Sequence, residues 1–207
     1  MNQAGAIIRE MRATDSWEEL TDLLHAAYRE HLLEGRNYAA CTQSVDETRQ
    51  RCAGGTTLLA FVDGRLAGTA TLHEQRRHGR APSGYISQVA VSPDFRGLGI
   101  GWRLLSELER IARKKGYSIL DCNTAATADS LVAWYLRQGW QKVSLRSFPG
   151  TAYYSILFRK RLDGPQKPPG TWRYSADCLL CHILWRHDGT LRPIGRLAHC
   201  LGLLRRL

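Results

Sequence analysis

The sequence predicts an α/β protein built on a mixed sheet with helices on both faces, and three observations predict it. Residues 56–62 and 65–73 are β-rich apolar runs joined by Asp63-Gly64, a dipeptide that strongly favours a two-residue hairpin turn. Residues 86–117 read as strand, tight loop and helix, with Arg96-Gly97-Leu98-Gly99-Ile100-Gly101 at the join. Along the first 162 residues the elements follow the order β-α-α-β-β-β-α-β-α-β-β, which calls for helices packed on a sheet.

Each element has its own local signal. Residues 6–11 form a short apolar strand. Asp15 or Ser16 then caps a helix whose first turn carries Glu18 and Glu19, where anions offset the partial positive charge of the helix end. Trp17, Leu20, Leu23, Leu24, Ala27 and Tyr28 recur at helical spacing to about Leu33, and Gly35 closes the helix. Residues 34–42 are a loop. Ser44-Val45-Asp46-Glu47 opens a second, short helix toward Cys52, with Gly54-Gly55 as its stop. Residues 74–83 are expected as a loop carrying Arg76, Arg77, His78 and Arg80.

Ile86, Val89 and Val91 mark the central strand, broken by Ser92-Pro93-Asp94; Leu104, Leu105, Leu108, Ile111 and Ala112 give the following helix its apolar stripe. A strand at residues 117–123 comes next, then a helix capped by Thr127 or Ser130 and ended at Gly139. Residues 140–146 and 151–159 form a last antiparallel pair around Phe148-Pro149-Gly150.

Composition narrows the functional classes. The 207 residues suffice for one substantial domain, expected at 1–162, with an appendage at 163–207. No apolar run is long enough to cross a bilayer and no signal-peptide layout opens the chain, so the expected compartment is cytoplasmic, with the six cysteines reduced. A net charge of +10 suits an anionic cofactor, nucleic acid or an acidic membrane, but no motif for reading nucleic acid accompanies it.

The glycines at 97, 99 and 101 carry the chemistry. Placed in the first turn of a helix, each would cost up to about 1 kcal/mol against alanine. A helix N-terminus leaves N–H groups unpaired and partly positive, so bare glycine there lets a phosphate approach the main chain. No Gly-Lys-Ser/Thr follows, which excludes a P-loop, and the spacing does not fit G-x-G-x-x-G.

With its Val-Ala-Val strand and Ser-Pro-Asp turn, Arg96-x-x-Gly99-x-Gly101 resembles the acyl-coenzyme A signature of the GNAT superfamily of N-acyltransferases. The resemblance extends over about residues 5–161 and implies a GNAT-like fold, with acetyl-coenzyme A as co-substrate and an amine acceptor, either a small molecule or a peptide. It further implies that the pantetheine arm lies along Val89, Ala90 and Val91. The diphosphate would rest on the amides of Arg96, Gly97, Leu98, Gly99, Ile100, Gly101 and Trp102. Trp134-Tyr135-Leu136-Arg137-Gln138-Gly139-Trp140 resembles the family segment whose tyrosine protonates the departing thiolate, which makes Tyr135 the expected catalytic acid.

The implied reaction is direct attack by a neutral amine, with the oxyanion held by a central-strand amide, that of Val91. Many members carry a glutamate at the start of the central strand where this chain has Tyr85-Ile86-Ser87-Gln88, so the base stays open among His73, Glu74 and Asp121, or a water they orient. Tyr28, His31, Tyr38, the loop from Arg76 to Arg80, Tyr153 and Tyr154 are expected to wall the acceptor pocket, with His73 and Glu74 as further acceptor-side residues. Cys41, Cys52 and Cys122 lack a basic neighbour suited to activating them.

Past the proline-rich stretch at 164–170 the composition changes to two basic amphipathic helices. Cys178-Leu179-Leu180-Cys181-His182 has the form of a haem attachment string, but zinc on Cys178, Cys181 and His182 is the better ligand reading. The default is that these helices pack on the domain or on a second copy in a homodimer; contact with an anionic membrane is the alternative. Two functions remain at this point: an acetyl-coenzyme A dependent N-acetyltransferase, or a non-catalytic acyl-coenzyme A binding module whose basic tail docks on a membrane or protein.

Overall fold

Ser16 takes the first of the predicted caps, its hydroxyl accepting from the Glu19 amide, and so fixes where the chain leaves strand β1 (Ile7–Glu10) for helix α1 (Trp17–Leu33). The computed structural model describes residues 5–76, 82–148 and 150–163. Helix α2 (Val45–Cys52) opens on a full capping box, in which Ser44 accepts from the Glu47 amide and the Glu47 carboxylate accepts from the Ser44 amide. The loop before it contains one turn of 3₁₀ helix at Ala39–Cys41.

Strands β2 (Thr56–Val62) and β3 (Arg65–Gln75) form the predicted hairpin, with Val62 opposite Arg65. Asp63 and Gly64 both take positive φ, 49° and 76°, as a two-residue turn of this hand requires. Strand β4 (Ser83–Val91) begins before the apolar run that announced it, because Gln75, Glu74 and His73 pair with Ser83, Gly84 and Tyr85. Cross-strand pairing there overrides the local polarity that suggested a loop from Glu74 onward. Helix α3 (Ile100–Lys114), strand β5 (Ile119–Ala125), helix α4 (Asp129–Arg137) and strands β6 (Gln141–Ser147) and β7 (Tyr154–Arg161) complete the order. Neither Thr127 nor Ser130 caps α4: Ala128 holds that position, after its amide closes a turn on the Ala125 carbonyl at 3.1 Å.

The sheet is mixed, seven-stranded and ordered β1-β2-β3-β4-β5-β7-β6. The described residues divide into two units, 5–34 with 38–76, 82–122 and 161–163, and 35–37 with 123–148 and 150–160. In the first unit, α1 lays Leu20, Leu23, Leu24 and Ala27 against Leu59 and Ala90, with Cys52 and Ala40 in the same cluster. Gly68 lets α3 approach from the other face: a Cβ there would stand 3.0 Å from Ile100 Cγ2 and 3.2 Å from Leu104 Cδ1. Alternation along the strands explains this division, since Thr69 and Ala90 form one register pair and Gly68 and Val91 the next. In the second unit, Tyr135 stacks on Phe158 at 5.2 Å and meets Trp134 and Trp140 edge-on. Asn37 pins the turn of the last hairpin, donating to the Gly150 carbonyl and accepting from the Ala152 amide, each at 2.7 Å.

Candidate active site

The glycine loop is a different object from the one the sequence suggested. Gly97 and Gly99 precede the helix with φ of 80° and 72°, Gly99 occupies its N-cap, and only Gly101 lies within α3. Two of the three glycines are therefore required by left-handed backbone and carry no helix-propensity cost. A Cβ built on either meets nothing within 4 Å, so the mouth of the helix is open.

The main chain there is unspent. The Arg96 amide donates to the Pro93 carbonyl at 3.4 Å and the Arg103 amide donates to that of Gly99 at 3.0 Å. Between them, the N–H groups from Gly97 through Trp102 make no main-chain hydrogen bond among the described residues. Such a row, at the positive end of a 15-residue helix, has the chemistry of an anion cradle. The Arg96 side chain does not cover it: its guanidinium reaches to α1, bonding Glu30 at 2.8 Å and the Ala27 carbonyl at 3.1 Å.

Strand β4 changes course beside this mouth. Thr69 pairs with Ala90 and Thr71 with Ser87, so one residue of β3, Ala70, faces two of β4, Gln88 and Val89. That is a β-bulge, and Gln88 takes φ +52° within it. Tyr28 of α1 donates its hydroxyl to the Val89 carbonyl at 2.9 Å. The Ser92 amide donates to the Ala67 carbonyl on β3, so alternation turns the N–H and C=O of Val91 away from β3. Two register pairs join β4 to β5, Gly84 with Leu120 and Tyr85 with Asp121, and both lie at the far end of β4 from Val91.

The expected acceptor residues fall into separate groups. Tyr28, His31 and Tyr38 come together, their ring centroids 5.1 to 5.7 Å apart. His73 and Glu74 sit further along, opposite Tyr85 and Gly84. Tyr85 is six residues from Val91, about 20 Å of extended strand. Burial lowers the pKa of His73, opposed by a hydrogen bond to the Arg51 main chain and reinforced by the Arg51 charge. The ring packs on bare backbone, since a Cβ on Gly55 would stand 2.8 Å from its Cε1. The Glu74 carboxylate pairs with Arg76 and also raises the pKa of Tyr117, after the larger effect of burial. Burial, with the Cys122 and Asp121 charges behind it, pushes the Tyr85 hydroxyl up to about 12. Burial likewise raises the Cys41 thiol, which keeps it protonated and a poor nucleophile.

Tyr135 and Tyr153 belong to the second unit, where both are buried. Cys178, Cys181 and His182, the tail helices, and Arg77, His78 and Arg80 lie outside the described residues. Among the described residues, no helix is long and apolar enough to cross a membrane. Sequence reasoning missed two features: the Arg96 anchor to α1 and the Gln88 bulge. A lone glutamine in an apolar strand was the available sign of the second.

The sequence profile of the acetyltransferase (GNAT) family matches residues 17–140. An aminoalkylphosphonate N-acetyltransferase of Salmonella typhimurium is 32% identical over 89 residues, 42% of this chain and 58% of the relative. A glucosamine 6-phosphate N-acetyltransferase of Trypanosoma brucei brucei is 45% identical over 56 residues, 26% of this chain and 37% of the relative. The chain thus spans little more than half the length of the first and about a third of the second. A GNAT family acetyltransferase from Elizabethkingia anophelis, solved with acetyl-CoA bound, shares the fold with a TM-score of 0.60 at 19% identity, over 76% of this chain and 99% of that one. The profile spans more than half of the chain and takes in the bulged strand, the glycine turn and α4, so this protein belongs to the GNAT acetyltransferase family.

Proposed function

We propose that the protein is an N-acetyltransferase that moves an acetyl group from acetyl-coenzyme A to a primary amine by direct attack in a ternary complex. The observation that carries this reading is the row of unspent amides from Gly97 to Trp102 beside a strand whose Val91 main chain faces away from β3. A diphosphate on those amides places the pantetheine arm along Val91, Ala90 and Val89, where main-chain bonds hold it as a further strand would. The Arg96 ion pair with Glu30 holds the loop in register with α1.

The chemistry then falls to few groups. As the amine nitrogen bonds to the thioester carbon, the carbonyl oxygen gains charge, and the Val91 N–H is the donor assigned to it. Collapse of that adduct breaks the C–S bond, Tyr135 is the assigned proton donor to the leaving sulfur, and the proton shed by the attacking nitrogen passes to solvent, from which the phenol is restored. Tyr28, His31 and Tyr38 supply an aromatic wall for the acceptor. The two curated relatives are named for amines that carry a phosphonate or phosphate. We assign the acceptor here to the same class, a small amine bearing an anionic oxygen group.

The test is calorimetric titration with acetyl-coenzyme A, joined to thiol release with 2-aminoethylphosphonate and glucosamine 6-phosphate. Wild type takes up the cofactor and releases thiol with an amine present. Tyr135→Phe lowers kcat by about 100-fold and leaves cofactor affinity within a factor of two. No heat of cofactor binding would sink the reading; undiminished turnover in Tyr135→Phe would remove only the tyrosine from it.

A further inference from the structure

Gln88 combines three features that oppose stability, and no contact within the fold accounts for them. It is a non-glycine residue at φ +52° in the interior of a sheet. It is 6% exposed. Its amide nitrogen is buried with no hydrogen-bond partner among the described residues. A buried donor left unpaired is destabilising, whereas an apolar side chain of the same shape would not be.

Its neighbours leave it in that condition. The β3 residue opposite the bulge is Ala70, which offers no polar side chain. Thr71, the next along, already shares its hydroxyl with Thr57 at 3.0 Å and Cys52 at 3.6 Å. Ser87, paired with Thr71, has a buried hydroxyl that is also without a partner. Gln88 and Ser87 thus each hold a polar atom left unsatisfied among the described residues, on opposite faces of the strand.

Position along the strand says what Gln88 lies next to. On the reading proposed above, on which this inference rests, the diphosphate sits at Gly97 to Trp102 and the arm runs back along Val91 toward Val89, thioester last. Gln88 is the next residue beyond that end, so the molecule that meets it is the one attacking the thioester. We propose that Gln88 is a specificity-determining residue of the acceptor site, its side-chain amide donating to an oxygen that the acceptor carries near its amine. A site with a buried donor to satisfy selects strongly against an amine lacking the matching oxygen, because that amine leaves the donor unpaired.

The experiment compares wild type with Gln88→Met, which keeps the length of the side chain and removes the donor. Two probes are used, 2-aminoethylphosphonate and ethylamine, together with the melting temperature of the free protein and calorimetric titration with acetyl-coenzyme A. Gln88→Met is expected to melt a few degrees higher than wild type. It should also lose at least tenfold of the preference for the phosphonate over ethylamine in kcat/KM, through KM, with acetyl-coenzyme A affinity within a factor of two. Gln88→Glu, which replaces the donor with a carboxylate, should depress the phosphonate reaction further while leaving ethylamine closer to wild type. A lower melting temperature in Gln88→Met would show that the amide has a structural partner and overturn the proposal, as would an unchanged preference. Absence of cofactor binding in wild type would defeat the transferase reading, and the melting temperatures would then judge Gln88 separately.

Discussion

The hydroxyl of Tyr28, on the first helix, donates to the main-chain carbonyl of Val89, on the bulged central strand, across 2.9 Å. The two residues are 61 positions apart in sequence, and their bond ties α1 to the part of β4 along which the cofactor is proposed to lie. Removing it by Tyr28→Phe is expected to cost about 1 kcal/mol of stability in urea denaturation. It should also weaken acetyl-coenzyme A binding several-fold by freeing the strand from the helix. An equal loss of stability with unchanged affinity would mean that the bulge holds its shape without α1.

Gly99 and Gly101 should part company when replaced by alanine. Gly99 sits at φ +72°, so Gly99→Ala strains the backbone by about 1 to 2 kcal/mol and disturbs the amide row. Cofactor affinity should fall at least tenfold. Gly101 is inside the helix, where alanine is the better residue by up to about 1 kcal/mol. Gly101→Ala is therefore expected to keep or raise the melting temperature while still weakening cofactor binding, because a helical Cβ tilts toward the helix N-terminus, where the row of amides lies. Paired thermal melts and titrations distinguish the two.

His73 makes stability depend on pH in a defined direction. Burial lowers its pKa below the ordinary 6.5, so as acid is added the unfolded chain takes up this proton before the folded one does. The stabilising contribution is whole above that ordinary value and is lost as pH falls through it toward the depressed folded value. Between about pH 7 and pH 5, wild type should lose more stability than His73→Gln, which does not titrate. Denaturation curves at stepped pH measure this, and parallel losses in the two proteins would show that His73 is not the group responsible.

Asp15 gives an acid-side counterpart. Its carboxylate accepts two hydrogen bonds of 2.6 Å from the Arg9 guanidinium and one from the Arg12 amide, and these hold its pKa down to about 2. Because the folded value lies below the ordinary 3.8, the contribution is present above the ordinary value and disappears as pH falls toward about 2. Asp15→Asn should be less stable than wild type at neutral pH and nearly equal to it near pH 2. A gap that persists in strong acid would assign the effect to the side chain's shape and not to its charge.

Much of the architecture was legible because its signals are local. Asp63-Gly64 fixes a turn by backbone geometry, Ser16 and Ser44 fix helix starts by offering an oxygen to unpaired amides, and the stripe from Leu104 to Ala112 fixes the buried face of α3. Each signal works within a few residues, so one sequence suffices to read it. The same holds for the existence of the glycine turn, though its form differs: Gly97 and Gly99 are left-handed residues ahead of the helix and not its first turn.

The sequence by itself therefore determined the element order, the caps of α1 and α2 and the turn that exposes main-chain amides, all set by conformational preferences of neighbouring residues. Tertiary structure alone decided that Ala70 faces both Gln88 and Val89, that Tyr28 reaches Val89, and that the Arg96 guanidinium bonds α1. Register between strands and the docking of a helix depend on which distant surfaces fit together. No residue's own preference encodes that fit, and the bulge beside the proposed thioester end follows from it.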